Sequence, residues 1–159
     1  MTPKINPKTH MQVTAIKNGT VLDHLASGAV FEVMKILNLD QDQKIITVGI
    51  NFPSQLLGRK DFIKVEDWEI TPEQASRVAI FAPQATVNII KNYQLEKKFK
   101  VKTPDHIDHL IICPSPKCIT HHEKVESYFY VQMDGRKPKF QCKYCEKVFS
   151  QEEIREYRL

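Results

Sequence analysis

The stretch from Thr71 to Leu95, TPEQASRVAIFAPQATVNIIKNYQL, decides the fold. Its first residues make a helix start: Thr71 offers a capping hydroxyl, Pro72 sits in the first turn, and Gln74 stands three residues after the cap. The helix should run to about Phe81 and close at Ala82-Pro83, because proline disfavours helical geometry in the residue before it. Thr86 to Leu95 then reads as a strand, with Val87 and Ile89 on one side and Asn88 and Ile90 on the other.

Upstream, Lys60 to Glu66 reads as a strand, and Lys44 to Phe52, rich in β-branched residues, as a buried strand stopped by Pro53-Ser54. A loop containing Gly58 joins them. Val30, Val33, Met34 and Leu37 recur at helical spacing, with Ser27 a candidate cap and an end near Asn38 to Asp40. Met11 to Lys17 alternates apolar and polar residues. Asn18-Gly19 supplies a hairpin signal there, with Thr20 to Leu25 as the returning strand. The order strand, helix, strand, strand, helix, strand predicts an α+β, ferredoxin-like antiparallel sheet with two helices on one face. The open face then calls for a ligand, a partner or a second subunit.

Downstream, the charged run Glu96 to Pro104 (EKKFKVKTP) has no pattern that buries either face and reads as a linker. Two domains follow, residues 1–102 and 103–159. The 57 residues of the second are too few to rely on an apolar core, and they hold all four cysteines. A staple is required.

Cys113 and Cys118 form C-x4-C, Cys142 and Cys145 form C-x2-C, and 23 residues separate the pairs. Two such knuckles converge on one tetrahedral metal. Four thiolates suit zinc and leave no open coordination position, so the site is structural rather than catalytic, in a small β-rich domain of zinc-ribbon type. Three other readings stand beside it. Two disulfides would need an oxidising compartment. A zinc deaminase signature would use His121, Glu123, Cys142 and Cys145, but Gln141 stands where it wants proline and two thiols are left over. His121 or His122 replacing a cysteine is the third.

Composition narrows the class. The chain has 159 residues, 42% hydrophobic and 26% charged, which is ordinary for a globular protein. Its net charge of +4 comes from lysines concentrated at 97–102 and 136–147, a solvated surface or a face for anions. MTPKINPKTH has no apolar core of signal-peptide length, and no stretch approaches the roughly 20 apolar residues of a membrane helix. The expectation is a cytoplasmic chain with no membrane partner. Phe99, Phe140 and Tyr144 stand among lysines, but the sheet lacks the clustered aromatic signature of base-stacking modules, so no nucleic-acid partner is expected.

The segments Gly19-Thr-Val-Leu-Asp-His24, Asn51 to Lys64 (NFPSQLLGRKDFIK), Ala82-Pro-Gln-Ala-Thr-Val-Asn88 and Cys142-Lys-Tyr-Cys-Glu-Lys147 resemble the aspartate carbamoyltransferase regulatory chain family. The resemblance covers nearly the whole chain. It implies a non-catalytic subunit in pyrimidine biosynthesis, whose N-terminal allosteric domain binds CTP as inhibitor and ATP as activator, with UTP a further candidate. It also implies pairing with a second copy of itself, and docking of the zinc domain on a separate catalytic chain. The nucleotide contacts it implies are Val13, Ala15 and Ile16 on the first strand, and Val21, Asp23 and His24 at the hairpin. Lys64, Asn88, Ile90, Tyr93 and Lys98 complete them.

Spacing adds to part of this. Lys60, Phe62 and Lys64 share one strand face and Asn88 and Ile90 another, so cations and an apolar floor meet on the open side. One position departs from the family: His10, with Lys8 two residues earlier, stands where relatives carry a lysine near the nucleotide. A largely neutral side chain there implies altered affinity for a triphosphate.

Overall fold

The computed structural model describes residues 14–41 and 43–159. Gly19–Ala26 forms β1, Ala29–Ile36 forms α1, Ile46–Ser54 and Gly58–Glu66 form β2 and β3, and Pro72–Phe81 forms α2. Thr86–Lys91 and Gln94–Lys100 follow as β4 and β5. All neighbours are antiparallel and the sheet order is β2-β3-β1-β4-β5, the expected ferredoxin-like arrangement with one strand added at the edge.

Alternation along the central strands fills the core. Leu22, Ile63, Val65, Val87 and Ile89 face Val30, Val33 and Ile36 of α1 and Ala75, Val78 and Ala79 of α2, and all are buried. Both halves of the Thr71 capping box form: Thr71 Oγ1 accepts from the Gln74 amide at 3.2 Å, and Gln74 Oε1 accepts from the Thr71 amide at 3.0 Å. The sequence places this helix correctly because its start signal is local.

Four expectations are corrected. Residues 14–18 form no strand, and Asn18-Gly19 is not a hairpin turn. The chain instead threads between two corners: Asn18 O accepts from the Asp67 amide, Asn18 Oδ1 from the Asn92 amide, and Lys17 O from the Tyr93 amide. Gly19 is required for another reason. Its φ is +144°, and a Cβ there would lie 2.1 Å from the Val65 carbonyl oxygen. Ala15 and Ile16 are therefore on a loop, Val21, Asp23 and His24 lie within β1, and Val13 and His10 lie outside the described residues.

The stretch Thr86 to Leu95 is not one strand, and the expected linker is largely β5. The reversal falls at Asn92-Tyr93, both left-handed with φ of 50° and 64°, as a two-residue hairpin turn of the primed type demands. β5 is an edge strand whose lysines stay in water, so it shows no buried face to read. Likewise β2 is an edge strand rather than a buried one, which is why Pro53 is tolerated near its end.

Ser27 does not cap α1. Its hydroxyl turns to Asn51 Oδ1, and the fully buried Asp61 carboxylate takes over. Asp61 accepts from the Gly28 amide at the head of α1 at 2.7 Å and from the Asn51 amide at 3.0 Å. Asn51 lies in a bulge of β2, and a second bulge in β1 holds His24 at φ 58°. One carboxylate thus closes a helix end and pins a strand irregularity, a long-range contact no local pattern announces.

The remaining residues make a second antiparallel sheet in the order β6-β7-β8-β9, from His106–Asp108, Tyr128–Asp134, Lys137–Cys142 and Val148–Ser150. Phe129 and Phe140 are its fully buried centre. Among the described residues no helix is long and apolar enough to cross a membrane. Gly19→Ala is expected to lower unfolding free energy by at least about 2 kcal/mol, read as a shifted denaturant midpoint at unchanged slope.

Candidate metal centre and ligand-facing sheet

The four cysteines arrive from two knuckles. Cys113 and Cys118 precede a 3₁₀ turn at Ile119–His121, while Cys142 ends β8 and Cys145 follows in the turn to β9. Their Sγ atoms all lie within 4.8 Å of one another, with Cys113 to Cys145 at 3.7 Å and Cys118 to Cys142 at 3.8 Å. A disulfide has its sulfurs about 2 Å apart, so these are not bridges. A tetrahedral ion with metal–sulfur bonds of about 2.3 Å has sulfur–sulfur edges of about 3.8 Å. The spacing fits that ion, and the donor set is soft and complete.

Backbone and side-chain donors support the sulfurs. Burial pushes the Cys113 thiol up, with the Ser115 amide and the neighbouring cysteines acting on it after that. Cys142 is also raised by burial, against donation from the Cys145 and Tyr144 amides. At Cys118 burial acts upward too, but the Thr120 hydroxyl and amide and the neighbouring thiols outweigh it and hold the group at about 7. Thr120 Oγ1 lies 3.3 Å from that sulfur and is buried. Lys147 Nζ donates to Ser115 Oγ at 3.2 Å, bringing a cation to the rim of a site that carries net negative charge when loaded.

Neither histidine joins the thiols. His121 Nε2 is 2.7 Å from the Cys113 carbonyl oxygen and His122 Nε2 is 3.2 Å from that of Pro116, so both rings brace the first knuckle. The deaminase reading loses its histidine ligand. The sequence did not single out Thr120, whose hydroxyl reaches the sulfur of Cys118 two positions earlier.

On the other domain, the face of the sheet away from the helices gathers most of the residues expected to meet a nucleotide. Register carries a row across it: Lys64 pairs with Val21, Val21 with Asn88, and Asn88 with Lys98. Two residues along β1, Asp23 sits at the bulge and binds Lys60 Nζ at 2.9 Å. Its Oδ1 also accepts from the His24 amide at 2.7 Å. His24 Nδ1 is 3.6 Å from Asp23 Oδ2, buried and, among the described residues, without a hydrogen-bond partner.

Lys64 Nζ donates to the Thr14 carbonyl at 3.0 Å, which brings the loop bearing Ala15 and Ile16 beside the row. Burial draws the Lys64 ammonium below its ordinary value, and Asp23 partly restores it. Ala15 is exposed and Ile16 is buried. Ile90 continues the Asn88 face opposite Gly19, while Tyr93 stands exposed at the hairpin tip and Lys98 on the exposed edge. Asn88 Nδ2 approaches the Val21 carbonyl at 3.5 Å, too long to hold the amide firmly. Lys60 is absent from the expected contacts, yet the strand spacing already put it on this face.

A four-cysteine domain of structural metal-site type joined to an antiparallel sheet with a charged open face matches the two domains of a regulatory chain. The family model described as "Aspartate carbamoyltransferase regulatory chain, allosteric domain" matches residues 11–102. The one described as "Aspartate carbamoyltransferase regulatory chain, metal binding domain" matches residues 105–155. The chain belongs to the aspartate carbamoyltransferase regulatory chain family.

A curated relative of that name from Aliivibrio fischeri (strain MJ11) is 46% identical over 147 residues, covering 92% of this chain and 96% of the relative. One from Vibrio parahaemolyticus serotype O3:K6 is 44% identical over 149 residues, covering 94% and 97%. One from Chromobacterium violaceum is 44% identical over 146 residues, covering 92% and 96%. Thr120→Val is expected to weaken metal retention by about tenfold while leaving four thiols in place, measured by competition with a chromophoric chelator.

Proposed function

We propose that the chain senses CTP and ATP on the open sheet face and passes their effect, through a zinc-stapled second domain, to an aspartate carbamoyltransferase catalytic chain. The row Lys64, Val21, Asn88 and Lys98, flanked by Asp23, His24 and Lys60, is the observation that carries this reading. Lys60, Lys64 and Lys98 supply point charges for a polyphosphate, and a bound anion offsets the cost of a partly desolvated Lys64. Asp23 accepts from a ribose hydroxyl or an exocyclic amine, the free His24 Nδ1 offers one further polar partner, and Val21 and Ile90 floor the base. Val13, Ala15, Ile16 and Tyr93 complete the proposed contacts.

Zinc is the proposed occupant of the thiols of Cys113, Cys118, Cys142 and Cys145. It supplies only structure there, contributing on the order of 10 kcal/mol to a domain with too small a core to fold alone. The functional division falls near residue 102, with residues 1–102 reading the nucleotide and residues 103–159 meeting the catalytic chain. A second copy of the chain pairs with the first through the nucleotide domain, and the assembly works in the cytoplasm.

CTP and ATP oppose each other only if they favour different states of the assembly. A differential affinity worth about 1 to 3 kcal/mol suffices for a clear change in substrate affinity. UTP enters as a possible co-effector at the same face.

The test is to purify the chain with the catalytic chain and titrate aspartate with and without CTP. Lys64→Ala is expected to weaken CTP binding at least tenfold and to remove inhibition, with metal content and assembly unchanged. Inhibition equal to that of the unmodified chain removes Lys64 from the site.

A further inference from the structure

The last residues of the chain form a strap between the two domains. On one side they lie along the segment 110–112 of the metal-binding domain: Ile111 bridges Tyr157, the Ile112 amide donates to Glu156 O at 3.1 Å, and the Arg158 amide to Leu110 O at 2.8 Å. On the other side they meet the helices of the first domain. The Tyr157 ring sets an edge-to-face contact on Phe81 at 5.4 Å and 88°, where Phe81 is the buried last residue of α2. Lys35 of α1 holds its ammonium 5.4 Å over the same ring and donates to the Arg155 carbonyl at 3.4 Å.

Gln151 Nε2 donates at 2.9 Å to the Phe81 carbonyl, so an unpaired carbonyl at the end of α2 is satisfied by the other domain. The Tyr157 hydroxyl donates to Ile154 O at 3.0 Å, which fixes the ring against its own strap. Burial, and after it the Glu32 carboxylate, push the phenol well above its ordinary range, so it stays a donor.

We infer that Tyr157 is a coupling residue between the two domains, positioned so that a shift of α1 or α2 moves the strap and with it the segment leading to Cys113. Its ring is held by both helices while its backbone pairs beside Leu110 and Ile112.

The coupling itself is independent of which ligand the sheet binds; its use in signalling rests on the function proposed above. Trp68, the chain's one tryptophan, follows β3 and packs on the core of the first domain, so its fluorescence reports unfolding there. Chelating the metal from the full chain is expected to lower the Trp68-reported thermal midpoint by about 4 °C or more, because the clasp is lost with the second domain. Tyr157→Ala should bind one metal yet show less than half that shift, and Tyr157→Phe, which keeps the ring, should behave as the unmodified chain.

A full shift in Tyr157→Ala overturns the assignment, as does the absence of any shift in the unmodified chain. Where the alanine variant does not fold, Tyr157→Leu keeps bulk without an aromatic face: a halved shift supports the clasp and a full one overturns it. In the assembly with the catalytic chain, Tyr157→Ala should bind CTP within about twofold of normal and lose its effect on aspartate affinity. Nucleotides that fail to bind even the unmodified chain count against the proposed effectors and leave the clasp to the thermal experiment.

Discussion

Four thiol sulfurs held within 4.8 Å of one another are a constraint on everything around them. As thiolates they repel one another, so the arrangement suits a cation at its centre. The two knuckles arrive from chain segments more than 20 residues apart, and a bound ion fixes both at once. That junction orders the short four-stranded sheet around Phe129 and Phe140, and it sets the position of residues 110–112, on which the C-terminal strap lies. Thr120, Ser115, Lys147 and the two histidines tune and brace the site without entering it.

The first domain solves a different problem. Two helices cover one side of the sheet and bury its alternating aliphatic residues, which leaves the opposite side for polar chemistry. Bulges in β1 and β2 break the alternation at one end, and the fully buried Asp61 joins the β2 bulge to the head of α1. At the bulge in β1, Asp23 meets Lys60, and His24, at φ 58°, lies beside Asp23. The β1 bulge places Asp23 and its ion pair on the open side, while the β2 bulge is tied through Asp61 to α1.

From α1 the path to the metal is short. Lys35 and Phe81 hold the tail, and the tail pairs with the segment before Cys113.

Much of this was legible in the residues themselves. The capping box at Thr71, the helical spacing of Val30 and Val33, the alternation at Val87 and Ile89, and the two cysteine pairs are short-range patterns whose physics acts within a few residues, so they survive any tertiary context. They determined the run β1-α1-β2-β3-α2-β4, the α+β class and the thiol set, while β5 was read as a linker. The readings that failed depended on neighbours distant in sequence. Asn18-Gly19 carries a turn signal, but Gly19 is there because the Val65 carbonyl lies against it; the turn at Asn92-Tyr93 lacks glycine, and its left-handed pair is held in part by Lys17. Asp61 as the cap of α1, Thr120 as a sulfur donor and Tyr157 as a clasp came only with the packed molecule. Local sequence sets backbone preference and the pattern of apolar faces. Which polar atom meets which across the fold is decided by register and packing, because only there do residues far apart in the chain come within hydrogen-bond reach.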